Sequence, residues 1–126
     1  MLAYVVTDAK RLNEPPVGEI ERRNGAVIVH LGGELDLYNA PEVRSTLLAV
    51  TAEQPDRLVI DLGGVEFIDS TMLGVLIEAR GKLSNRRAFL LAAPGRETHR
   101  ALRISGLDEH LSVHGTVDAA LESPVS

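Results

Sequence analysis

The 126-residue chain has no cysteine, no tryptophan and an excess of acid over base. Without cysteine there is no disulfide framework, no thiolate zinc site, no iron–sulfur ligation and no Cys nucleophile. Aromatic residues make up only 3% of the chain. Thirteen Lys and Arg stand against eighteen Asp and Glu, a net charge of −5, with a sequence pI near 5.3. Nucleic-acid binders usually present a basic face, so direct nucleic-acid binding is not expected. No apolar run approaches the ~18–20 residues of a membrane span. Met1–Val6 is apolar but too short for a signal-peptide core, and no cleavage pattern follows it. Repeats and low-complexity segments are also missing. These absences lead to the expectation of a soluble, cytoplasmic protein without a membrane span.

What remains is an ordinary globular composition, with 44% hydrophobic and 25% charged residues. The length suits one domain, and a chain of this size buries roughly two-thirds of its unfolded surface. Residues 1–16 read as an N-terminal tail in which Leu2–Val6 could add a short strand. Asn13-Glu14-Pro15-Pro16 breaks any continuing element. The domain is expected over residues 17–122, with 123–126 as a C-terminal tail.

Within the domain, Gly18–Arg22 alternates as an edge strand does, and Asn24-Gly25 is a tight-turn dipeptide leading into the apolar strand Ala26–Leu31. Gly32–Tyr38 reads as a loop. Asn39-Ala40-Pro41-Glu42 carries the signals of a helix start, with Asn39 as cap, and Ala40, Val43, Leu47 and Val50 form one apolar face. Arg57–Leu62 is a second strand that Gly63-Gly64 is expected to break, leaving Val65–Ile68 as a separate extended piece. A helix follows from Asp69-Ser70-Thr71 to about Ser84. Ala88–Ala92 is a third buried strand, Thr98–Ile104 a third helix stopped by Ser105-Gly106, and Leu111–His114 a short strand. Thr116 caps a last helix through Leu121. The alternation predicts an α/β fold: a mostly parallel mixed sheet with an N-terminal hairpin and about four helices packed on it.

Enzyme chemistry is hard to assemble from these residues. His30, His99, His110 and His114 show no metal-ligand spacing on a helix face, and the segment between His110 and His114 is not helical. No metal site and no cofactor are expected. The glycine pairs are not followed by a phosphate-loop Lys-Ser/Thr. Ser70 has Ile68 and Met72 where a hydrolase elbow needs glycines. Asp36 and Asp69 both sit near strand ends, where surface carboxylates are common.

Asp69-Ser70-Thr71 is the most informative stretch. Ser70 is read as the cap of the following helix, its oxygen accepting a backbone N–H. A hydroxyl at the positive end of a helix is also a reasonable phosphoryl acceptor, because the free amides and the dipole favour an anion there.

At this point the chain resembles the STAS domain of bacterial anti-sigma factor antagonists. The resemblance rests on Gly33-Glu34-Leu35-Asp36 with Ala40; on Val59-Ile60-Asp61-Leu62, Val65, Phe67, Ile68, Asp69-Ser70-Thr71 and Leu73-Gly74-Val75-Leu76; and on Leu102–Leu107. It runs from about Val17 to Leu121. It implies a STAS-like fold and a partner switch instead of an enzyme. In the family the unphosphorylated antagonist binds an anti-sigma factor that is also a Ser/Thr kinase, which releases a sigma factor. Phosphorylation of the Ser after the motif Asp, here Ser70, ends the binding, and a Ser/Thr phosphatase resets it. Thr71 is the weaker acceptor. Asp36, Asn39, Asp69, Ser70, Thr71 and Met72 are the expected partner-binding residues, with Asn39 more a cap than a contact, and Leu73 and Leu76 belonging to the core. Glu78 and Arg80 read as solvated helix positions. Met72 stands where the family usually has Gly, and is expected to lie exposed on the contact surface. The expected state is a monomer, with a dimer as the alternative. The competing reading is a constitutive STAS interaction module, a scaffold or lipid-transporter accessory subunit without phospho-switching. A small enzyme using Ser70 as nucleophile or phosphate contact is the third.

Overall fold

The computed structural model describes residues 15–125. The expected strand Leu2–Val6 and nearly all of the expected tail lie outside the described residues. Among the described residues, five strands form one sheet in the order β1-β2-β3-β4-β5: β1 Val17–Arg23, β2 Ala26–Leu35, β3 Arg57–Ile68, β4 Phe89–Ala92 and β5 Ser112–His114. β1 runs antiparallel to β2, and the remaining neighbours are parallel. Four helices connect or follow them: α1 Ala40–Ala52, α2 Ser70–Lys82, α3 Arg96–Ile104 and α4 Val117–Glu122. The expected α/β architecture is therefore the observed one.

The hairpin forms as its turn chemistry requires. Asn24 and Gly25 both take positive φ, 49° and 84°, which matches the twist of the flanking strands. The two sheet faces are then covered unequally. Val27, Val29, Leu31, Leu58, Ile60 and Leu62 alternate onto one face and pack against Val43, Leu47 and Val50 of α1, Met72 and Leu76 of α2 and Leu102 of α3. Ile28, Val59, Leu90 and Ala92 point the other way, against Ala120 of the six-residue α4. Thr116 caps α4, its hydroxyl accepting from the Ala119 amide at 3.0 Å.

Both glycine pairs correct the sequence reading. Gly32–Leu35 is not loop but the end of β2, and Gly63-Gly64 does not break β3. The two strands stay paired from Gly32↔Gly64 to Leu35↔Ile68, with two register shifts that each give β3 an extra residue. Glycine is what permits this close pairing, since a Cβ on Gly64 would lie 3.2 Å from the Leu31 carbonyl oxygen. β4 pairs only with Leu58–Asp61. β2 and β3 thus continue as a two-stranded ribbon past the rest of the sheet and deliver two chain segments side by side, one opening into α1 and the other into α2.

Candidate functional site

Where the ribbon ends, the Asp69 amide donates to the Leu35 carbonyl at 3.1 Å. The Asp69 carboxylate then does two jobs. Its Oδ1 accepts from the Met72 amide at 3.0 Å, and its Oδ2 accepts from the Leu37 amide at 3.1 Å. Asp69 is therefore the cap of α2, and Ser70 is the first helical residue. This corrects the reading of Ser70 as the cap. The extended backbone at Asp69 (φ −103°, ψ 177°) is the conformation a cap residue needs, and a carboxylate there also complements the helix dipole.

The segment before α1 is closed by side chains in the same way. Asn39 Oδ1 accepts from the Asp36 amide at 2.9 Å, and its Nδ2 donates to the Glu34 carbonyl at 2.6 Å. Asp36 Oδ1 accepts from the Tyr38 amide at 3.0 Å. Asn39 occupies the cap position of α1 without capping it through its side chain. Its amide staples the turn instead. Asp36 and Asp69 thus lie on adjacent segments, as expected, and both are committed to holding backbone.

Ser70 differs from these neighbours. It is exposed, as is Thr71, and among the described residues its hydroxyl has no hydrogen-bond partner. The first-turn amides of a helix have no carbonyl partner inside it, so Ser70 presents a free hydroxyl at the positive end of α2. Met72 is the clearest correction. Expected on the contact surface, it is fully buried. Met72, Leu73, Val75, Leu76 and Ala79 form the buried stripe of α2, and helical periodicity carries Met72 inward while Ser70 and Thr71 face out. Leu73 and Leu76 are core residues, as expected.

Beside the hydroxyls lies a groove of about 450 Å³ between α1 and α2, lined by Leu37, Ala40, Arg44, Leu48, Thr71 and Val75 among others. Arg44 makes a two-pronged ion pair with Glu78 at 2.7 Å for each contact, which ties α1 to α2. The Arg44 guanidinium holds the Glu78 carboxyl below its ordinary range, so Glu78 is a paired residue and not a merely solvated one. Leu37 is 63% exposed, Tyr38 92% and Phe67 50%. The sequence reading missed all three. The signal was two large apolar side chains, Leu37 and Tyr38, inside a short polar turn with no strand or helix face to join.

A mixed α/β scaffold thus presents free hydroxyls, protruding apolar side chains and a groove at one end. The chain belongs to the STAS domain family, whose model matches residues 18–120. It is 35% identical over 98 residues to the anti-sigma-F factor antagonist RsfB of Mycobacterium tuberculosis, covering 78% of this chain and 80% of that protein. It is 33% identical over 99 residues to the anti-sigma F factor antagonist of Paenibacillus polymyxa, covering 76% of this chain and 84% of the relative. Among solved structures, it is similar to an anti-sigma factor antagonist from Mycobacterium paratuberculosis, with a TM-score of 0.79 and 34% identity over 86% of this chain and 93% of that one. All three are anti-sigma factor antagonists by name. No helix among the described residues is long and apolar enough to cross a membrane.

Proposed function

We propose that this protein is an anti-sigma factor antagonist switched at Ser70. The unphosphorylated form binds an anti-sigma factor that is also a Ser/Thr kinase, and so releases a sigma factor. Transfer of a phosphoryl group to Ser70 ends the binding, and a Ser/Thr phosphatase restores it. Thr71 is the secondary acceptor. The protein acts in the cytoplasm as a monomer, through the domain spanning residues 17–122.

The observation that carries this reading is the division of labour at the start of α2. Asp69 does the capping, which leaves the exposed Ser70 hydroxyl available to a kinase. Three relationships support the rest. A phosphate adds about −1.5 to −2 charges, and the α2 N-terminus tolerates it within its own domain. The Asp69 carboxylate stands next to it, so the added charge accumulates on a surface that a partner must approach closely. The groove beside Thr71, lined in part by Leu37, and the exposed Tyr38 next to Leu37 in sequence supply the apolar contact that a protein partner would cover. Met72, buried in the core, contributes to the position of the helix and not to the contact.

Phosphopeptide mapping of the protein from its own cells, during growth and during stress, tests the switch. Phosphate on Ser70 that changes between the two conditions, and that disappears in Ser70→Ala, is the expected result. An unphosphorylated protein in both conditions would replace this reading with that of a constitutive interaction module.

A further inference from the structure

The sheet face opposite α1, α2 and α3 carries a polar cluster beyond the apolar patch that α4 covers. His30 on β2 is the register partner of Asp61 on β3, and its Nδ1 lies 2.6 Å from Asp61 Oδ2. Its Nε2 lies 2.6 Å from Glu21 Oε1 on β1. The Asp61 carboxylate is itself held, its Oδ1 accepting from the Gly63 amide at 2.9 Å. A register shift between Val17 and Ile20 sets two β1 residues, Gly18 and Glu19, against His30 alone. Bulges of this kind re-aim side chains, and this one brings Glu19 to the cluster. One ligand atom each from Glu19, Glu21 and His30 lie within 4.8 Å of one another.

We propose that Glu19, Glu21 and His30 bind a divalent transition-metal ion of the zinc class, with Asp61 as the positioning residue for the ring. The ion would take the Nε2 lone pair, any proton there leaving to solvent, while Nδ1 stays against Asp61. That is the carboxylate–histidine–metal arrangement in which an outer carboxylate fixes tautomer and orientation. Charge also favours a cation here: three carboxylates, Glu19, Glu21 and Asp61, lie around the ring, with Arg23 paired to Glu21 Oε2 at 2.7 Å. Imidazole with carboxylate suits zinc and its neighbours, whereas magnesium and calcium prefer oxygen alone. The ion would clip the edge strand β1 to β2, on the face away from Ser70.

Calorimetric titration of the full chain with zinc chloride, and with magnesium chloride for comparison, tests this. The expected result is one zinc ion per chain and no comparable magnesium binding. Glu19→Gln is the cleanest variant, because Glu19 is exposed and holds no hydrogen bond among the described residues. Glu19→Gln and Asp61→Asn should each weaken zinc by about tenfold or more, and His30→Gln should abolish binding, with far-UV circular dichroism reporting whether each variant is folded. A chain lacking His99, His110 and His114 should bind as wild type does. Absent zinc binding, binding that survives both Glu19→Gln and His30→Gln, or binding lost with the other three histidines would overturn the proposal.

Discussion

Two clusters of polar side chains sit on this sheet, and they spend their hydrogen bonds differently. At the ribbon end, Asp36, Asn39 and Asp69 bond to backbone amides and carbonyls. On the opposite face, Glu21 and Asp61 each bond to the His30 ring between them. The first arrangement builds shape: two chain segments are locked together, and the exposed hydroxyls of Ser70 and Thr71 are left over. The second holds charge: a ring is oriented by one carboxylate toward others. The difference is between side chains that hold backbone and leave neighbouring hydroxyls unpaired, and side chains that pair with one another.

Substitutions can break that comparison, beginning with the largest effect. Met72→Ala, and more so Met72→Gly, should destabilise the domain by about 2–5 kcal/mol, because each empties a fully buried position. Chemical denaturation measures it. A loss of partner affinity with stability unchanged would return Met72 to the contact surface. Asp69→Ala should cost about 0.5–2 kcal/mol for the cap alone, and it also releases the Leu37 amide. Its thermal melt should therefore fall further than that of Thr116→Ala, which removes only the α4 cap. Tyr38→Ala, at a side chain 92% exposed, should leave stability within about 0.5 kcal/mol while weakening the anti-sigma complex, as surface plasmon resonance would record. Ser70→Ala should be the mildest of all for folding, again within about 0.5 kcal/mol, since Ser70 caps nothing. A drop in melting temperature matching that of Asp69→Ala would mean that the two residues share the capping role.

The elements were legible in the sequence because their signals are local. Asn24-Gly25 fixes a hairpin, the spacing of Val43, Leu47 and Val50 fixes a helix face, and Asp69-Ser70-Thr71 marks a helix start. The errors arose where a decision depended on a single residue or on distant chain. Asp69 and Ser70 are both good caps, and helix ends are uncertain by one or two residues from sequence. Met72 falls on the stripe with Val75, Leu76 and Ala79 wherever the helix begins, so its burial followed from spacing that the comparison with a family Gly obscured. Glycine pairs signal breaks, yet here they serve two strands that approach closely, which only their pairing reveals. The contacts among Glu21, His30 and Asp61 draw on three strands, and no spacing along the chain announces them. The groove requires α1 and α2 together, so only its ends, Leu37 and Thr71, had any signal in sequence.

On the proposed reading, phosphate on Ser70 acts at the docking surface and not on the fold. Its most direct test is calorimetric binding of the anti-sigma factor to the unmodified and the Ser70-phosphorylated protein, with amide exchange followed on both. Affinity should fall by about tenfold or more, the loss expected when added charge at the contact costs about 1.4 kcal/mol, with exchange changes confined to the start of α2 and the Asp36–Asn39 turn. Equal affinity for the two forms, or exchange altered throughout the sheet, would contradict it.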